Sequence, residues 1–329
     1  MSNLALVQDG FHKEDPLSTL KVVTKPIPKA SPGQVVVHIT LRPINPVDFM
    51  TLRGGNVVNG SAGSEGFGIV HEVGEGVTKL HKGQRVIPVT APGSNKGNGS
   101  FQKYVAIDAD FVLPVPGYMS DEVAAQFVVN PWTAYSLLKL LEVPKGEYII
   151  QSAAGSTLGK IVICLAKHYG IKTINIVRRS SQIAELKALG ADEVICSAEE
   201  DVGAKLKEIT GGKGAWGGLD AVFGTMTPMI AGGVRDEGKV YVYGMLGGYS
   251  TTLGVGDLFR GVIITAFVSF KLLAVPEKIH ALAGEVAPLV KDGVIPVAEV
   301  EKYDLKEFKT ALAKAGESGR AGKILLVTA

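Results

Sequence analysis

The residues best placed to do chemistry lie between Gln151 and Lys160, in the stretch QSAAGSTLGK. Ser152–Thr157 is a turn of small residues that leads into a helix. Such a turn aims backbone N–H groups at one point, and the helix dipole adds partial positive charge there. That point suits a pyrophosphate. The six positions of the dinucleotide fingerprint G-x-G-x-x-G are filled by Ala154, Gly155, Ser156, Thr157, Leu158 and Gly159. Only the third glycine, needed for close helix–strand packing, is kept, although Ala and Ser still let a phosphate approach the backbone. The same small residues would also serve a βα turn with no ligand.

About 20 residues after such a turn, an Asp or Glu usually meets the ribose 2′-hydroxyl of a cofactor without a 2′-phosphate. This chain has Arg178, Arg179 and Ser180 there. Two guanidinium groups grip a phosphate dianion through bidentate hydrogen bonds. The expected cofactor is NADPH; the alternative is a solvated basic loop.

The elements around these residues must position them. Tyr148–Gln151 is an apolar run too short for a helix. Lys160–Tyr169 is rich in helix formers and stops at Gly170, and Thr173–Val177 is β-branched and apolar. Together they form one βαβ unit. Further strands are expected at 193–196, 219–223, 239–243 and 262–267, with helices at 182–189 and 199–209. Six strands with crossovers make a doubly wound parallel sheet, an α/β Rossmann fold that takes its ligand at the C-terminal strand ends. Gly224 and Gly244 follow two of those ends.

Residues 1 to about 118 read as all-β, with strands at 34–41, 68–73 and 84–89 between Gly/Pro turns. Thr90–Ser100 reads as a polar, Gly-rich surface loop. Near Ser120 a helix begins, with Ser as N-cap and Asp121 and Glu122 in the first turn. The apolar run Val123–Leu141 follows, interrupted by Pro131. A helix at 277–291, a second at 306–315 and a strand at 323–327 are too little to fold alone. This tail is expected to rejoin the first domain, giving a domain of 1–119 and 271–329 around a dinucleotide-binding domain of 120–270.

Composition sets bounds. A chain of 329 residues with 46% hydrophobic residues can bury two cores. A net charge of +2 does not suit a general nucleic-acid surface. Two cysteines cannot build a disulfide framework and suit a reducing compartment. No apolar run reaches the ~20 residues of a membrane span. MSNLALVQDGF lacks the pattern of a secretory leader. A soluble cytoplasmic protein is expected, or a mitochondrial one if a transit segment preceded this numbering.

PINPVD (Pro43–Asp48), VNPWTAY (Val129–Tyr135), the S-x-x-G turn and INIVRR (Ile174–Arg179) resemble the medium-chain dehydrogenase/reductase superfamily. Within it they resemble the enoyl-thioester reductases of mitochondrial fatty-acid synthesis and the neighbouring quinone oxidoreductases. The resemblance covers nearly the whole chain and implies a GroES-like substrate domain around the Rossmann domain. It implies that Asn45 lies beside substrate and nicotinamide, and that Asn130 and Thr133 line the nicotinamide end of the cleft. Ser156, Thr157 and Leu158 would hold the pyrophosphate, and Arg178 and Arg179 the 2′-phosphate. Gly244 and Met245 would lie by the adenosine–pyrophosphate bridge, while Phe267, Val268, Ser269 and Lys323 would close around the cofactor. Enoyl-thioester reductases carry a Tyr soon after the N-P-x-D piece; here Asn56 stands at that position, which suggests a looser substrate range.

Zinc members of the superfamily need Cys and His ligands. Their Cys position is Asn45 here, and their G-H-E piece reads Gly63, Ser64, Glu65. No metal is therefore expected, and Asp48 and Glu65 are left for structural hydrogen bonds. Without a Lewis acid, the fitting chemistry is hydride transfer to the C=C bond of an α,β-unsaturated carbonyl, which puts charge on the carbonyl oxygen. The Asn45 amide is the first candidate donor to that oxygen and Asn56 the second. The other reading of Asn45 is a turn residue between two prolines. The acceptor would be an enoyl thioester, an enone or a quinone; a weakly catalytic NADPH-binding protein is the remaining alternative. The apolar, uncharged last strand, Gly261–Phe270, would be an aggregation hazard if left open, and pairing with its copy in a homodimer removes it.

Overall fold

The apolar run from Gln34 continues to Pro43, two residues past its expected end, and becomes an interior strand of a mixed sheet, antiparallel to each of its own neighbours. The structure, a computed structural model, describes residues 2–328 apart from 95, 318, 320 and 321. One compact unit comprises Met1–Val129, Ser269–Lys291 and Val297–Ala329, and the other Asn130–Val268 and Asp292–Pro296.

In the first unit, β1 (Asn3–Gln8) and β2 (Leu20–Lys25) form an antiparallel pair. β3 (Gln34–Pro43), β4 (Phe67–Val73), β5 (Arg85–Pro88), β6 (Tyr104–Asp108) and β7 (Val112–Pro114) build the larger sheet. Val35, Val37, Ile39, Val70, Val86 and Val105 fill the core on one side of it. In the second unit, β8 (Tyr148–Gln151), β9 (Lys172–Val177), β10 (Glu193–Cys196), β11 (Ala215–Asp220), β12 (Val234–Val242) and β13 (Ile263–Ala266) form one sheet in the order β10-β9-β8-β11-β12-β13. All five pairings are parallel. This is the doubly wound order, with the chain reversing direction across the sheet between β8 and β11.

The tail rejoins the first unit through β14 (Val300–Asp304) and β15 (Lys323–Val327). β14 runs parallel to β15, and β15 runs antiparallel to β3 with Leu325 opposite Pro43 and Val327 opposite Leu41.

Three expectations are corrected. The change of unit falls at Val129/Asn130 rather than at residue 120, because the helix Asp121–Ala125 packs on β3, β4 and β5. Its N-cap is Ser120, whose hydroxyl accepts from the Val123 N–H at 3.3 Å. The apolar run 123–141 does not break at Pro131. The break lies at 126–128, and Pro131 occupies the first turn of the helix Val129–Leu141, where a missing N–H costs nothing. Finally, the second half of the glycine-rich loop 90–100 is built into the unit. Ser61 N–H donates to Gly97 O at 2.8 Å and Phe101 N–H to Ala62 O at 2.9 Å. A Cβ on Gly60 would sit 2.3 Å from Gly97 Cα, so the two backbones touch where only glycine fits.

β11 also starts earlier than expected. Gly217 and Gly218, ahead of the expected start at residue 219, lie inside the strand. A Cβ on Gly217 would sit 2.6 Å from a Leu141 methyl, and one on Gly218 would sit 2.3 Å from Ile230. The strand ends at Asp220 because its carboxylate turns back onto the N–H groups of Val222 (2.8 Å) and Phe223 (3.1 Å).

Candidate functional site

In the second unit the turn after β8 has the shape of an anion site. Ala153 takes a left-handed φ of +48°, unusual for a residue with a side chain, and swings the chain out of the strand. Ser156 caps the helix Thr157–Tyr169, its Oγ accepting from Gly159 N–H at 3.0 Å. The N–H groups of Thr157 and Leu158, at the first two helical positions, have no carbonyl one turn back and are aimed out of the helix mouth. Ser156 is exposed, Thr157 half-buried and Leu158 buried. A Cβ on Gly159 would lie 2.5 Å from Ala154 O and 2.7 Å from Ala154 Cα, so this glycine lets helix and turn close on each other.

Buried amides fix this mouth. Gln151 Nε2 donates to Gly159 O at 3.0 Å and to Asn175 Oδ1 at 2.7 Å, while Asn175 Nδ2 donates to Thr173 Oγ1 at 2.8 Å and Glu193 O at 2.9 Å. Both residues are fully buried and tie β8, β9, β10 and the helix together. Asp220 does the same for the next strand end: it accepts from Ser152 Oγ and from Thr227 Oγ1, each at 2.7 Å. Sequence reading missed Gln151, Asn175 and Asp220 as positioning residues. The available signal was a polar residue inside an otherwise apolar strand, as in YIIQ and TINIV.

The other residues expected to bind cofactor in this unit follow strand ends. Arg178, exposed, and Arg179, half-buried, leave β9 beside the β8 turn. Gly244 follows β12, where a Cβ would lie 2.1 Å from Ala221 O; Met245 beside it is partly exposed. Phe267 and Val268 follow β13. Asn130 and Thr133 share one face of the helix Val129–Leu141 and are buried. The residues after β8, β9, β12 and β13 thus gather at the carboxyl edge of one parallel sheet.

In the first unit the structure brings Asn45 and Lys323 together and leaves Asn56 apart. Asn45 is the N-cap of the helix Pro46–Arg53 and is fully buried. Its Oδ1 accepts from Lys323 Nζ at 2.5 Å and its Nδ2 donates to Glu65 Oε1 at 3.0 Å. Lysine only donates and carboxylate only accepts, so the orientation of the amide is fixed by its partners. Glu65 Oε2 accepts from the N–H groups of Val128 (3.0 Å) and Val129 (2.8 Å). Asp48 accepts from Asn45 N–H at 2.7 Å and from Ser64 Oγ at 2.6 Å. Lys323, Glu65, Asp48 and Ser64 are all at most 1% exposed. Burial pushes the Asp48 carboxyl up to about 6, against the pull of its hydrogen bonds to Ser64 and Asn45 and of the Lys323 charge. Burial also raises Glu65, opposed first by Lys323. Asn56 is exposed, its amide lying over Gly54 in the turn after the helix.

These residues do not suit a zinc ion. The amide oxygen at the expected Cys position already holds an ammonium, the Ser64 hydroxyl is bonded to Asp48, and among the described residues no three His, Cys, Asp or Glu side chains converge. Among those residues, too, no helix is long and apolar enough to cross a membrane.

Comparison with known proteins bears on both units. Residues 31–117 match the alcohol dehydrogenase GroES-like domain family, and residues 157–283 the family described as zinc-binding dehydrogenase. A mitochondrial enoyl-[acyl-carrier-protein] reductase of Caenorhabditis elegans is 32% identical over 327 residues, covering 95% of this chain and 92% of that one. The quinone oxidoreductase of Pseudomonas syringae pv. tomato DC3000 matches all of both chains with a TM-score of 0.87 and 25% identity. The Escherichia coli quinone oxidoreductase complexed with NADPH matches all of both chains with a TM-score of 0.85 and 26% identity. The chain is a member of the medium-chain dehydrogenase/reductase superfamily, an oxidoreductase homologous to the mitochondrial enoyl-[acyl-carrier-protein] reductases and to the quinone oxidoreductases.

Proposed function

We propose that this protein is an NADPH-dependent reductase of C=C bonds conjugated to a carbonyl, with 2-enoyl thioesters as its first substrate class. The observation that carries the cofactor assignment is the helix mouth at Thr157–Leu158 next to the paired arginines that end the adjacent strand β9. The helix mouth would take the pyrophosphate and Arg178 and Arg179 the 2′-phosphate, while Gly244 leaves room for the bridge and Asn130 and Thr133 face the nicotinamide. When bound, the reduced nicotinamide supplies a hydride to the β-carbon of the acceptor. The chain's own task is to hold the acceptor and to meet the charge that grows on its carbonyl oxygen.

Of the two asparagines singled out, Asn56 presents an exposed amide, whereas Asn45 is spent between Lys323 and Glu65. The donor role is therefore assigned to Asn56, and Asn45 with Lys323 positions the start of the helix Pro46–Arg53. Asn56→Ala should lower kcat about tenfold or more at unchanged NADPH affinity, by loss of one oxyanion donor. An unchanged kcat removes Asn56 from the mechanism. An amide in place of the tyrosine favours a second reading, reduction of quinones. A steady-state panel of crotonyl thioesters, short enals and quinones with NADPH decides between them; tight NADPH binding with no turnover of any acceptor rejects both.

We also propose a homodimer. β13 is an edge strand, Ile263 on it is 50% exposed, and Val255, Leu258 and Phe259 before it are 63–87% exposed. A second copy covering this edge buries them. Light scattering at micromolar concentration should give twice the chain mass; the single mass refutes the dimer. The two cysteines are free, which suits a reducing compartment, and we assign the protein to the mitochondrial matrix or the cytoplasm on that basis.

A further inference from the structure

The loop that ends β9 faces an acidic partner. Ser180 Oγ, directly after the two arginines, donates to Glu199 Oε1 at 2.6 Å. Glu199 is held there by its own turn. β10 pairs with β9 in parallel, with Cys196 opposite Val177. Ser197 N–H donates to Val177 O at 2.8 Å, and Ser197 Oγ to the same oxygen at 3.2 Å. The N–H groups of Glu199 and Glu200 return to Cys196 O at 3.0 and 2.9 Å, and Glu200 Oε2 accepts from Cys196 N–H at 2.8 Å. The last residue before Arg178 is thus tied to the turn that carries Glu199.

Cofactors with a bare ribose 2′-hydroxyl are usually met by a carboxylate at the end of the second strand, because a hydroxyl can donate and a phosphate dianion cannot. In this chain the second strand, β9, ends in arginines, and a carboxylate reaches the same loop from the third strand. Resting on the NADPH reading above, we propose that Glu199 sets selectivity at the ribose 2′ position. Arg178 and Arg179 hold the 2′-phosphate when it is present. Glu199 accepts the 2′-hydroxyl when it is absent, in place of the Ser180 hydroxyl it holds in the free protein. The site therefore takes NADH as well as NADPH, and Glu199 lowers its preference for NADPH through like-charge repulsion of the phosphate.

Glu199 is exposed, so substituting it leaves the fold intact. The test is the affinity of the whole protein for NADPH and NADH, read from nicotinamide fluorescence at low and high salt. E199Q should bind NADPH roughly threefold or more tighter at low salt, less so at high salt, as expected for a screened surface charge. The same variant should bind NADH about fivefold weaker, through loss of a charge-assisted hydrogen bond. S180A keeps the carboxylate and should not tighten NADPH, which separates the charge from a mere loop contact. Affinities for both cofactors that move together in E199Q, or an NADPH/NADH ratio that does not move, overturn the assignment while leaving NADPH binding in place. Wild-type protein that binds neither dinucleotide overturns both the assignment and the reading it rests on.

Discussion

Replacing Arg178 and Arg179 together with alanine is expected to weaken NADPH binding about a hundredfold or more, and to change NADH binding by no more than about threefold. Each guanidinium makes charge-assisted, fork-shaped hydrogen bonds to a phosphate, the strongest class of polar contact the chain can offer there. In the proposed site the two arginines would touch only what distinguishes the two cofactors. The pyrophosphate common to both would rest there on the N–H groups of the helix Thr157–Tyr169, which the substitutions leave alone. Titration calorimetry with both dinucleotides reads the ratio directly. Equal losses would mean that the arginines hold the turn rather than the phosphate.

Glu65→Gln should cost about 3 kcal/mol of stability, although the two side chains have nearly the same shape. The reason is a count of donors. Lys323 Nζ and the N–H groups of Val128 and Val129 stand at the two ends of the network, and all of them only donate. Between them lie the Asn45 amide, with one acceptor and one donor end, and the Glu65 carboxylate, with two acceptor oxygens. Each contact is satisfied only if residue 65 accepts on both sides. Glutamine has one oxygen, and turning either amide over brings two donors face to face. The unfolding midpoint should fall by roughly 6–12 °C. A midpoint within about 1 °C of wild type would show that the network tolerates a neutral link.

How far the sequence could be read follows from how local each feature is. The helix mouth, its glycine and the arginines lie within one βαβ unit, where turn chemistry and strand periodicity are visible side by side. β8, β10 and β15 fall at their expected residues for the same reason. The first-unit network joins residues as far as 278 positions apart, and nothing near Asn45 announces that Lys323 will reach its amide. The resemblance implies a place for Lys323 near the cofactor, but its bond to the Asn45 amide has no signal in the sequence. The Ser152–Asp220 bond spans 68 positions and Ser180–Glu199 crosses from one strand end to the next, so both depend on the order of strands in the sheet. The early start of β11 has no local signal because Gly217 and Gly218, which close packing requires, have low strand propensity.

The pairing of β15 with β3 also bears on how the chain folds during synthesis. β3 ends at Pro43, yet β15, which pairs with its residues 41–43, begins only at Lys323, after the whole of the 130–268 segment of the second unit. A nascent chain must carry the 41–43 edge of β3 unpaired while the second unit is made behind it. That unit is formed from one nearly continuous segment and can mature first. Completion of the first unit waits until β15 has emerged from the ribosome, so chaperone demand should persist until after the second unit has folded.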